Sequence, residues 1–161
     1  EYIPAVQKGF ESAMANGALA GYTIDSMKVT LKDGSFHPVD SDQLSFEICA
    51  RNGFRVAAPK AGSVIMEPVM NVEVVTPEEN MGDIIGDLNK RRGRVMGIDP
   101  AEEGTQVVLA EVPFSEMTDY VISLRAATQG RGRFDFDFIR YDEVPGSIAE
   151  KVIAEAKREQ N

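Results

Sequence analysis

The sequence VVTPEENMGDIIGDLNKRRGRVMGI, residues 74–98, carries the clearest secondary-structure signals of the chain. It follows a strand-like run over residues 64–75, and Thr76, Pro77 and two glutamates then predict the capped start of a helix. Apolar residues at helical spacing mark the buried side of that helix, and they are Met81, Ile84, Ile85 and Leu88. Gly93 predicts the end of the helix. A strand-like sequence then resumes, so the stretch predicts strand, helix and strand.

The pattern continues downstream of this stretch. Two strands are predicted over residues 94–98 and 105–112, and helical spacing follows at Met117, Tyr120, Val121 and Leu124. In a last strand Phe134, Phe136 and Phe138 alternate with other residues, which predicts an aromatic face turned to the core. The order β-α-β-β-α-β is that of the ferredoxin-like antiparallel sandwich, with two helices on one face of the sheet. Residues 145–159 predict a final helix.

Upstream, the patterns predict a helix, a strand and a second helix. The first helix starts near Ile3 and stops at Asn16-Gly17. The strand turns Met27, Val29 and Leu31 inward and ends at the turn Asp33-Gly34-Ser35. The second helix spans about residues 41–58, with Asp40 and Gln43 as a capping box and a kink or shortening expected at Asn52-Gly53.

A single strand has no ladder partner, so residues 1–66 predict an incomplete sheet domain whose other strands lie upstream. The whole chain is therefore predicted to be α+β, with a partial βαβ domain followed by the ferredoxin-like sandwich and a C-terminal helix. Charge supports a boundary near Glu67, because residues 1–66 carry 6 of the 17 basic and 7 of the 26 acidic residues. The predicted domains are residues 1–66 and 67–161.

Composition excludes several classes of protein. The 161 residues carry a formal net charge of −9, so binding to nucleic acid must be local rather than driven by overall charge. No stretch approaches the ~20 apolar residues of a membrane span, and a signal peptide is lacking, which predicts a cytoplasmic protein without a membrane partner. With one cysteine, Cys49, and one histidine, His37, an internal disulfide and an ordinary zinc site are excluded.

Few residues are candidates for chemistry. The sequence has no GxxxxGK[ST] loop, so we expect this chain to hydrolyse neither GTP nor ATP, and we assign it no catalytic residue, cofactor or metal. His37 lies beside a turn, where a solvated loop histidine is the plain interpretation. The densest basic cluster comprises Lys90, Arg91, Arg92 and Arg94. These cations can complement a helix dipole, contact RNA phosphates, or do both. Cys49 is predicted to be a small buried residue.

Several long segments resemble one protein family. They are EYIPAVQKG (1–9), KVTLKDGSFHPVDS (28–41), EPVMNVEVVTPEENMGDIIGDLNKRRGRVMGI (67–98) and LRAATQGRGRFDFDF (124–138). Together they resemble the C-terminal part of bacterial translation elongation factor G over nearly the whole chain. The resemblance implies that residues 1–66 are the second half of the fourth domain of that family, and that residues 67–161 are its fifth domain with a terminal helix.

The resemblance also implies partners. The fourth domain enters the decoding region of the ribosome, and its tip loop would contact tRNA and mRNA through Asp33, Gly34, Ser35, Phe36 and His37. The fifth domain faces ribosomal RNA, which Lys90, Arg91, Arg92 and Arg94 would contact. The parent protein would promote translocation of tRNA and mRNA, with GTP and Mg in a GTPase domain that this fragment lacks. We further expect the fragment to self-associate through residues 22–32, or to exchange its amide hydrogens rapidly there.

Other interpretations remain open at this stage. Paralogous translational GTPases, which recycle ribosomes or protect them from tetracycline, share the same domain layout. A stand-alone ferredoxin-like enzyme of acylphosphatase type would need an arginine-bearing phosphate loop after the first strand, where this chain has Glu78 and Glu79. A small-molecule regulatory module is the third alternative. Co-sedimentation with ribosomes would separate these interpretations.

Overall fold

The computed structural model describes the whole chain, Glu1–Asn161, and divides it into two compact units. The sheet unit is Met66–Glu143, and the helical unit is Glu1–Ile65 together with Val144–Asn161. In chain order the elements are α1 (Ile3–Ala13), α2 (Gln43–Ala57), β1 (Met66–Pro77), α3 (Met81–Lys90), β2 (Arg94–Pro100), β3 (Thr105–Pro113), α4 (Tyr120–Thr128), β4 (Arg133–Glu143) and α5 (Gly146–Glu159). The predicted domain limits, 1–66 and 67–161, stay a prediction.

The sheet unit is a four-stranded antiparallel sheet with two helices on one face. The strand order is β2-β3-β1-β4, and every neighbouring pair is antiparallel. Alternate side chains of the strands are buried against α3 and α4 in one core, which includes Val72, Val74, Val108, Ala110, Val112, Ile84, Leu88 and Leu124. This is the ferredoxin-like arrangement, and the predicted α+β class is confirmed.

The aromatic face of β4 differs from the prediction. Phe134 packs against the core, edge-on to Tyr120 with ring centroids 4.8 Å apart. Phe136 and Phe138 share its face of the strand, yet they are 42% and 53% exposed. The reason is that β4 lies at the edge of the sheet, so only its first aromatic residue is covered by the helices. The prediction that all three phenylalanines are core residues was wrong.

Both ends of α3 form by contacts other than those predicted. Thr76 is the buried last part of β1 and donates its hydroxyl to the Pro77 carbonyl, so it does not cap the helix. A short 3-10 helix over Glu78–Asn80 leads into α3 instead. At the other end Arg92, not Gly93, has the left-handed conformation, with φ of 57°. Gly93 is needed for close approach, because a Cβ there would lie 2.5 Å from the Leu88 carbonyl oxygen.

The helical unit is organised by the contact of α1 with α2. The small buried residues Ala5, Gly9 and Ala13 of α1 face α2, where Ala50 and Phe54 are buried. Phe54 is at the centre of a small core with Ala13 and Ala58. The first helix therefore forms where the sequence predicts it, from Ile3.

Helix α2 is uninterrupted from Gln43 to Ala57, so the kink expected at Asn52-Gly53 is not present. Its N-cap is Asp42 rather than Asp40, since the Asp42 carboxylate accepts the backbone N–H of Ser45 at 2.6 Å. Hydrogen bonds from the side chain and the backbone of Ser45 hold the pKa of Asp42 below its usual value. Cys49 is exposed on the side of α2 away from Phe54, which corrects the prediction of a buried thiol.

The predicted strand around Met27–Leu31 is not a strand in the structure. Residues 27–37 have no regular secondary structure, and Val29 and Leu31 are 44% and 51% exposed. Alternating apolar residues favour an extended backbone, but a strand also needs a partner for its N–H and C=O groups. All four strands of the chain lie in the sheet unit. The partial βαβ domain predicted for residues 1–66 is therefore represented here by two helices and an extended segment.

Candidate nucleic-acid interface

The tip loop, residues 33–37, lies within a fully exposed part of the helical unit. Every residue from Lys28 to Asp40 is exposed, including Phe36 at 67%. The turn predicted at Asp33-Gly34-Ser35 is not formed: Asp33 Oδ1 accepts the backbone N–H of Gly34 at 2.8 Å, but the turn lies at residues 38–40. Because all of its residues are exposed, the loop is accessible to a macromolecular partner.

His37 is fixed to the residues that follow it. Its backbone N–H donates to Ser41 Oγ at 2.7 Å, and its carbonyl oxygen accepts the N–H of Ser41 at 3.0 Å. Its Nδ1 accepts the backbone N–H of Val39 at 3.3 Å and lies 3.2 Å from Asp40 Oδ2. The imidazole is nonetheless 64% exposed, so its position is defined while its outer edge remains accessible.

An aromatic group anchors the tip loop to α1 and α2. Tyr2 stacks on Phe46 with ring centroids 4.4 Å apart, and its hydroxyl donates to the Ser41 carbonyl oxygen at 3.3 Å. The ring of Phe36 lies 6.4 Å from that of Tyr2. Neither Tyr2 nor Ser41 could be assigned to the site from the sequence, because neither has a local signal that links it to the loop.

The basic cluster of Lys90, Arg91, Arg92 and Arg94 divides into two kinds of residue. Lys90 and Arg94 are exposed, and neither has an acidic partner within ion-pair distance. Arg94 is the cross-strand neighbour of Glu111, whose carboxylate instead binds Arg140 at 2.7 Å. The cationic groups of Lys90 and Arg94 are thus available to an external anion.

Arg91 has its guanidinium turned into the sheet unit. It donates to Asp87 Oδ2 at 2.9 Å, to the Glu116 carbonyl at 2.6 Å and to Ser123 Oγ at 2.8 Å, and it lies 5.0 Å from the centroid of the Tyr120 ring. Burial acts to lower the pKa of Arg91, but the hydrogen bonds and charges of its acidic partners outweigh burial and raise it. Arg91 therefore joins the end of α3 to the start of α4.

Arg92 has two acidic partners. The Arg92 guanidinium donates N–H groups to both carboxylate oxygens of Glu67, at 2.8 and 2.9 Å, and its Nε–H donates to Glu116 Oε1 at 3.0 Å. The hydrogen bonds to Glu67 are the main reason that the pKa of Arg92 is raised. Two parallel hydrogen bonds between a guanidinium and a carboxylate are among the stronger ionic contacts in proteins. The side chains of Arg91 and Arg92 are thus bound to groups within the sheet unit, and the accessible cations of the basic cluster are Lys90 and Arg94.

A second basic segment was not identified from the sequence. Residues 120–134 contain no acidic residue, although the chain as a whole is acidic, and they carry Arg125, Arg131 and Arg133. Arg131 pairs with Glu79, whereas Arg125 and Arg133 are exposed without an ion pair. The absence of acidic residues from residues 120–134 was the feature of the sequence that could have identified this segment.

The sheet face opposite the helices carries charges of both signs, with the acidic residues at its centre. Glu73 of β1 lies directly across from Asp135 of β4, and Asn71 lies across from Asp137. Glu73, Asp135 and Asp137 are all exposed. Arg94 and Arg133 lie on the same face at the first positions of β2 and β4, opposite Glu111 and Val75, so contact with phosphates on this face would be local to these cations.

No group of three or more His, Cys, Asp or Glu side chains is arranged to hold a metal ion. Two open depressions have volumes of about 700 and 470 Å³. The larger follows α2 and has no charged residue in its lining, which is Ser45, Ile48, Cys49, Asn52, Gly53 and Val56; the smaller contains Glu78, Glu79 and the paired Arg131. None of the helices has the length and hydropathy to cross a membrane.

Comparisons with known proteins agree over both units. A family model described as elongation factor G, domain IV, matches residues 1–62, and one described as elongation factor G C-terminus matches residues 64–152. Proteins named elongation factor G from Cytophaga hutchinsonii and Amoebophilus asiaticus are 54% and 56% identical over 98% of this chain. The chain spans 22% of the length of each of these relatives.

A solved structure is also similar. The crystal structure of a protein from Thermus thermophilus matches 98% of this chain and 24% of its own chain, with a TM-score of 0.84 and 36% sequence identity. The two chains are therefore similar in sequence as well as in fold. The chain belongs to the elongation factor G family and carries its domain IV and C-terminal regions.

Proposed function

We propose that this chain is the ribosome-binding region of a cytoplasmic translational GTPase that promotes the translocation of tRNA and mRNA. The observation that carries the proposal is the tip loop, which is fully exposed and yet holds His37 by hydrogen bonds to Val39 and Ser41. GTP and Mg would be bound by other parts of the parent protein, since this chain has no phosphate-binding loop. The chain would contribute contacts with the ribosome and would not itself make or break covalent bonds.

At the decoding site the tip loop would act by shape and hydrogen bonding. RNA offers phosphate oxygens, 2′-hydroxyls and exposed base edges, which short polar loops can contact at close range. Asp33 and Gly34 shape the start of the loop through their hydrogen bond, Ser35 and Phe36 give the loop its surface, and His37 supplies a polar group. No proton transfer is needed for this role. Contacts of this kind require little positive charge, which suits a chain with a net charge of −9.

The sheet unit would contact ribosomal RNA through the basic cluster. Lys90 and Arg94 are suited to direct contact with phosphates because both side chains are exposed and neither is in a close ion pair. Arg91 and Arg92 would serve the same interface indirectly, by holding the end of α3 in place. This assignment of roles refines the simple expectation that all four cations touch RNA.

The first test uses His37→Ala in the full-length parent protein. We expect translocation to slow while ribosome-stimulated GTP hydrolysis stays close to that of the wild type, because the change removes a contact of the tip only. Rapid kinetics of both reactions on the same ribosomes provide the measurement. Loss of both activities to the same extent would contradict the role of the tip. Assays of ribosome recycling and of tetracycline protection on the same protein separate the paralogous functions.

The second test compares two kinds of variant of the basic cluster. Lys90→Ala combined with Arg94→Ala should weaken ribosome binding and reduce its dependence on salt. The slope of log affinity against log salt should fall by about one for each phosphate that the variant no longer binds. The stability of the chain should change by less than about 0.5 kcal/mol, as is usual for exposed sites.

Arg92→Ala is the matched variant. It leaves Glu67 and Glu116 without their partner, so the free energy of unfolding of the chain should fall by about 2 kcal/mol. An unchanged salt dependence in the Lys90 and Arg94 double variant, with wild-type binding, would leave the basic cluster with only a structural role.

A further inference from the structure

The strand β4 has one unpaired edge. It pairs with β1 alone, and its register is regular over Arg133–Phe138, because the bulge of that ladder lies beyond this range. Every residue from Asp135 to Tyr141 is exposed. The other edge strand, β2, is shorter, has an irregular register and ends in Pro100, and these features hinder pairing with a further strand. The edge at which another strand can add is therefore that of β4.

The side chains of β4 alternate between two kinds. Phe134, Phe136 and Phe138 lie on the face of the sheet that packs against the helices, and Asp135 and Asp137 lie on the other face. Neither aspartate is in an ion pair. A strand that adds to this edge should therefore present apolar residues on the helix face and basic residues on the other face.

Residues 28–32, Lys-Val-Thr-Leu-Lys, have this pattern. Their backbone forms no hydrogen bond within the chain, and all five side chains are exposed. Neither Lys28 nor Lys32 is in an ion pair. The preceding residue, Met27, packs against the small core around Phe54, so the segment is anchored at one end. The chain thus contains both an open edge and an unpaired segment that matches it.

We propose that residues 28–32 of one copy of the chain add as a further strand to β4 of a second copy. When Val29 and Leu31 lie beside two consecutive phenylalanines, Thr30 lies opposite one aspartate and a lysine lies opposite the other. This holds for parallel and for antiparallel pairing, because the segment has a lysine at each end. The pairing gives partners to the free N–H and C=O groups of both edges, and it does not rest on the proposed function.

Charge favours this pairing over the two pairings of like edges. Two overlapping copies of β4 would place aspartates opposite aspartates, and two overlapping copies of residues 28–32 would place lysines opposite lysines. Like charges directly across from each other destabilise a pair of strands, whereas opposite charges stabilise it. The segment and β4 are therefore each a better partner for the other than for a copy of itself.

The first measurement is the association of the 161-residue chain. Sedimentation should show association that weakens as salt is added. Hydrogen exchange should show protection that rises with chain concentration at residues 28–32 and at alternate amides of 133–138, while the amides of β2 stay unchanged and serve as the control edge. A chain that stays monomeric up to about 1 mM, or protection that does not depend on concentration, would overturn the proposal.

Two charge-reversal variants test which edges pair. In Lys28→Glu with Lys32→Glu the segment repels β4, and in Asp135→Lys with Asp137→Lys the edge of β4 repels the segment. Each double variant alone should associate about ten-fold more weakly than the wild type, or not at all. An equimolar mixture of the two should recover association, because each variant then meets the opposite charge on the edge of the other.

All four positions are exposed, so the variants should keep the thermal unfolding of the wild type, which is the control for folding. Asp99→Lys, a charge reversal on the β2 edge, is the matched variant and should associate like the wild type. Undiminished association of either double variant would show that the edge it alters is not used. That result, or a mixture that associates no better than its components, would refute the pairing of residues 28–32 with β4.

Discussion

At the scale of single residues, Tyr120 shows how the sheet unit tolerates an imperfect contact. Its side chain is only 1% exposed, and its ring packs edge-on to Phe134 and beneath the Arg91 guanidinium. Its hydroxyl, however, has no hydrogen-bond partner. Burial raises the pKa of Tyr120 well above its usual value, with a further contribution from the charge of Asp87. The ring stabilises this site, and the hydroxyl does not.

We predict that Tyr120→Phe stabilises the chain by about 1 kcal/mol, because it removes a buried polar group without a partner. Denaturant unfolding gives the free energy. The raised pKa also fixes the sign of a pH effect: the wild type should lose stability as pH rises above about 10, the value in an unfolded chain, and the variant should lose less. As a control, Tyr120→Leu should be destabilising, since it also loses the aromatic contacts. A loss of more than 1 kcal/mol in Tyr120→Phe would mean that the hydroxyl is bonded in solution, for example to a buried water.

The basic cluster shows what sequence can and cannot reveal about single residues. The run KRRGR predicts positive charge at the end of a helix, and the structure agrees. It cannot tell that Arg92 is bound to Glu67, which is 25 positions away, because that contact depends on how β1 and α3 pack. The exposure of His37 was predictable from its neighbouring turn. Its anchoring to Ser41 and Val39 was not.

At the scale of elements, the contact between α1 and α2 depends on the absence of a side chain. A Cβ placed on Gly9 would lie 2.8 Å from the Cβ of Ala50 and would also collide with the Glu47 carbonyl group. The Glu47 carbonyl group belongs to the backbone of α2 and the Ala50 Cβ is bonded directly to that backbone, so neither can move away by a change of side-chain rotamer. Gly53, in the middle of α2, has no other heavy atom within 4 Å of such a Cβ. The two helical glycines therefore have opposite roles.

We predict that Gly9→Ala destabilises the helical unit by about 1–3 kcal/mol, the usual cost of overpacking a helix contact. Gly53→Ala is the matched control and should stabilise α2 by up to about 1 kcal/mol, because alanine has the higher helix propensity. Thermal unfolding followed by circular dichroism measures both. Equal effects of the two changes would show that the α1–α2 contact is loose in solution.

Element prediction succeeded where local pattern and packing agree. The order β-α-β-β-α-β could be derived from periodicity, since the alternation within most segments agrees with the face that each segment buries in the core. It failed where the outcome depends on a neighbour. Phe136 has the alternation of a core residue but is at an uncovered edge, and Met27 has the pattern of a strand residue but no ladder. Thr76 has the signature of a cap but ends a strand.

At the scale of the whole molecule, the two units satisfy their backbone groups to different degrees. In the sheet unit, β1 pairs with β3 from Val69 to Pro77 and with β4 along nearly its full length. In the helical unit, the backbone of residues 27–32 forms no hydrogen bond within the chain. The same segment exposes the apolar side chains of Val29 and Leu31. It thus combines free N–H and C=O groups with an apolar surface, which is the signature of an edge that can pair with another chain.

We predict that the 161-residue chain either self-associates through residues 22–32 or exchanges its amide hydrogens rapidly there, while residues 67–142 stay protected. The reason is that exchange requires an amide free of hydrogen bonds, which is the native condition of Lys28–Leu31 but requires opening of the sheet for Val107–Val112. Hydrogen exchange at several chain concentrations, together with light scattering, separates the two outcomes, because only self-association makes protection depend on concentration.

The variant Val29→Lys with Leu31→Lys decides between these outcomes, because charges on an apolar edge block pairing between chains while leaving the backbone unchanged. If the wild type self-associates, the double variant should be monomeric with fast exchange over residues 28–31 at every concentration. If the wild type is already monomeric, the two proteins should exchange alike in this segment. In both cases protection of the core of the sheet unit should be unaffected, since that core is formed by Val72, Val74, Val108 and their neighbours alone. A strict monomer whose Lys28–Leu31 amides are as protected as Val107–Val112 would contradict the prediction, because it would require hydrogen-bond partners that the chain does not provide.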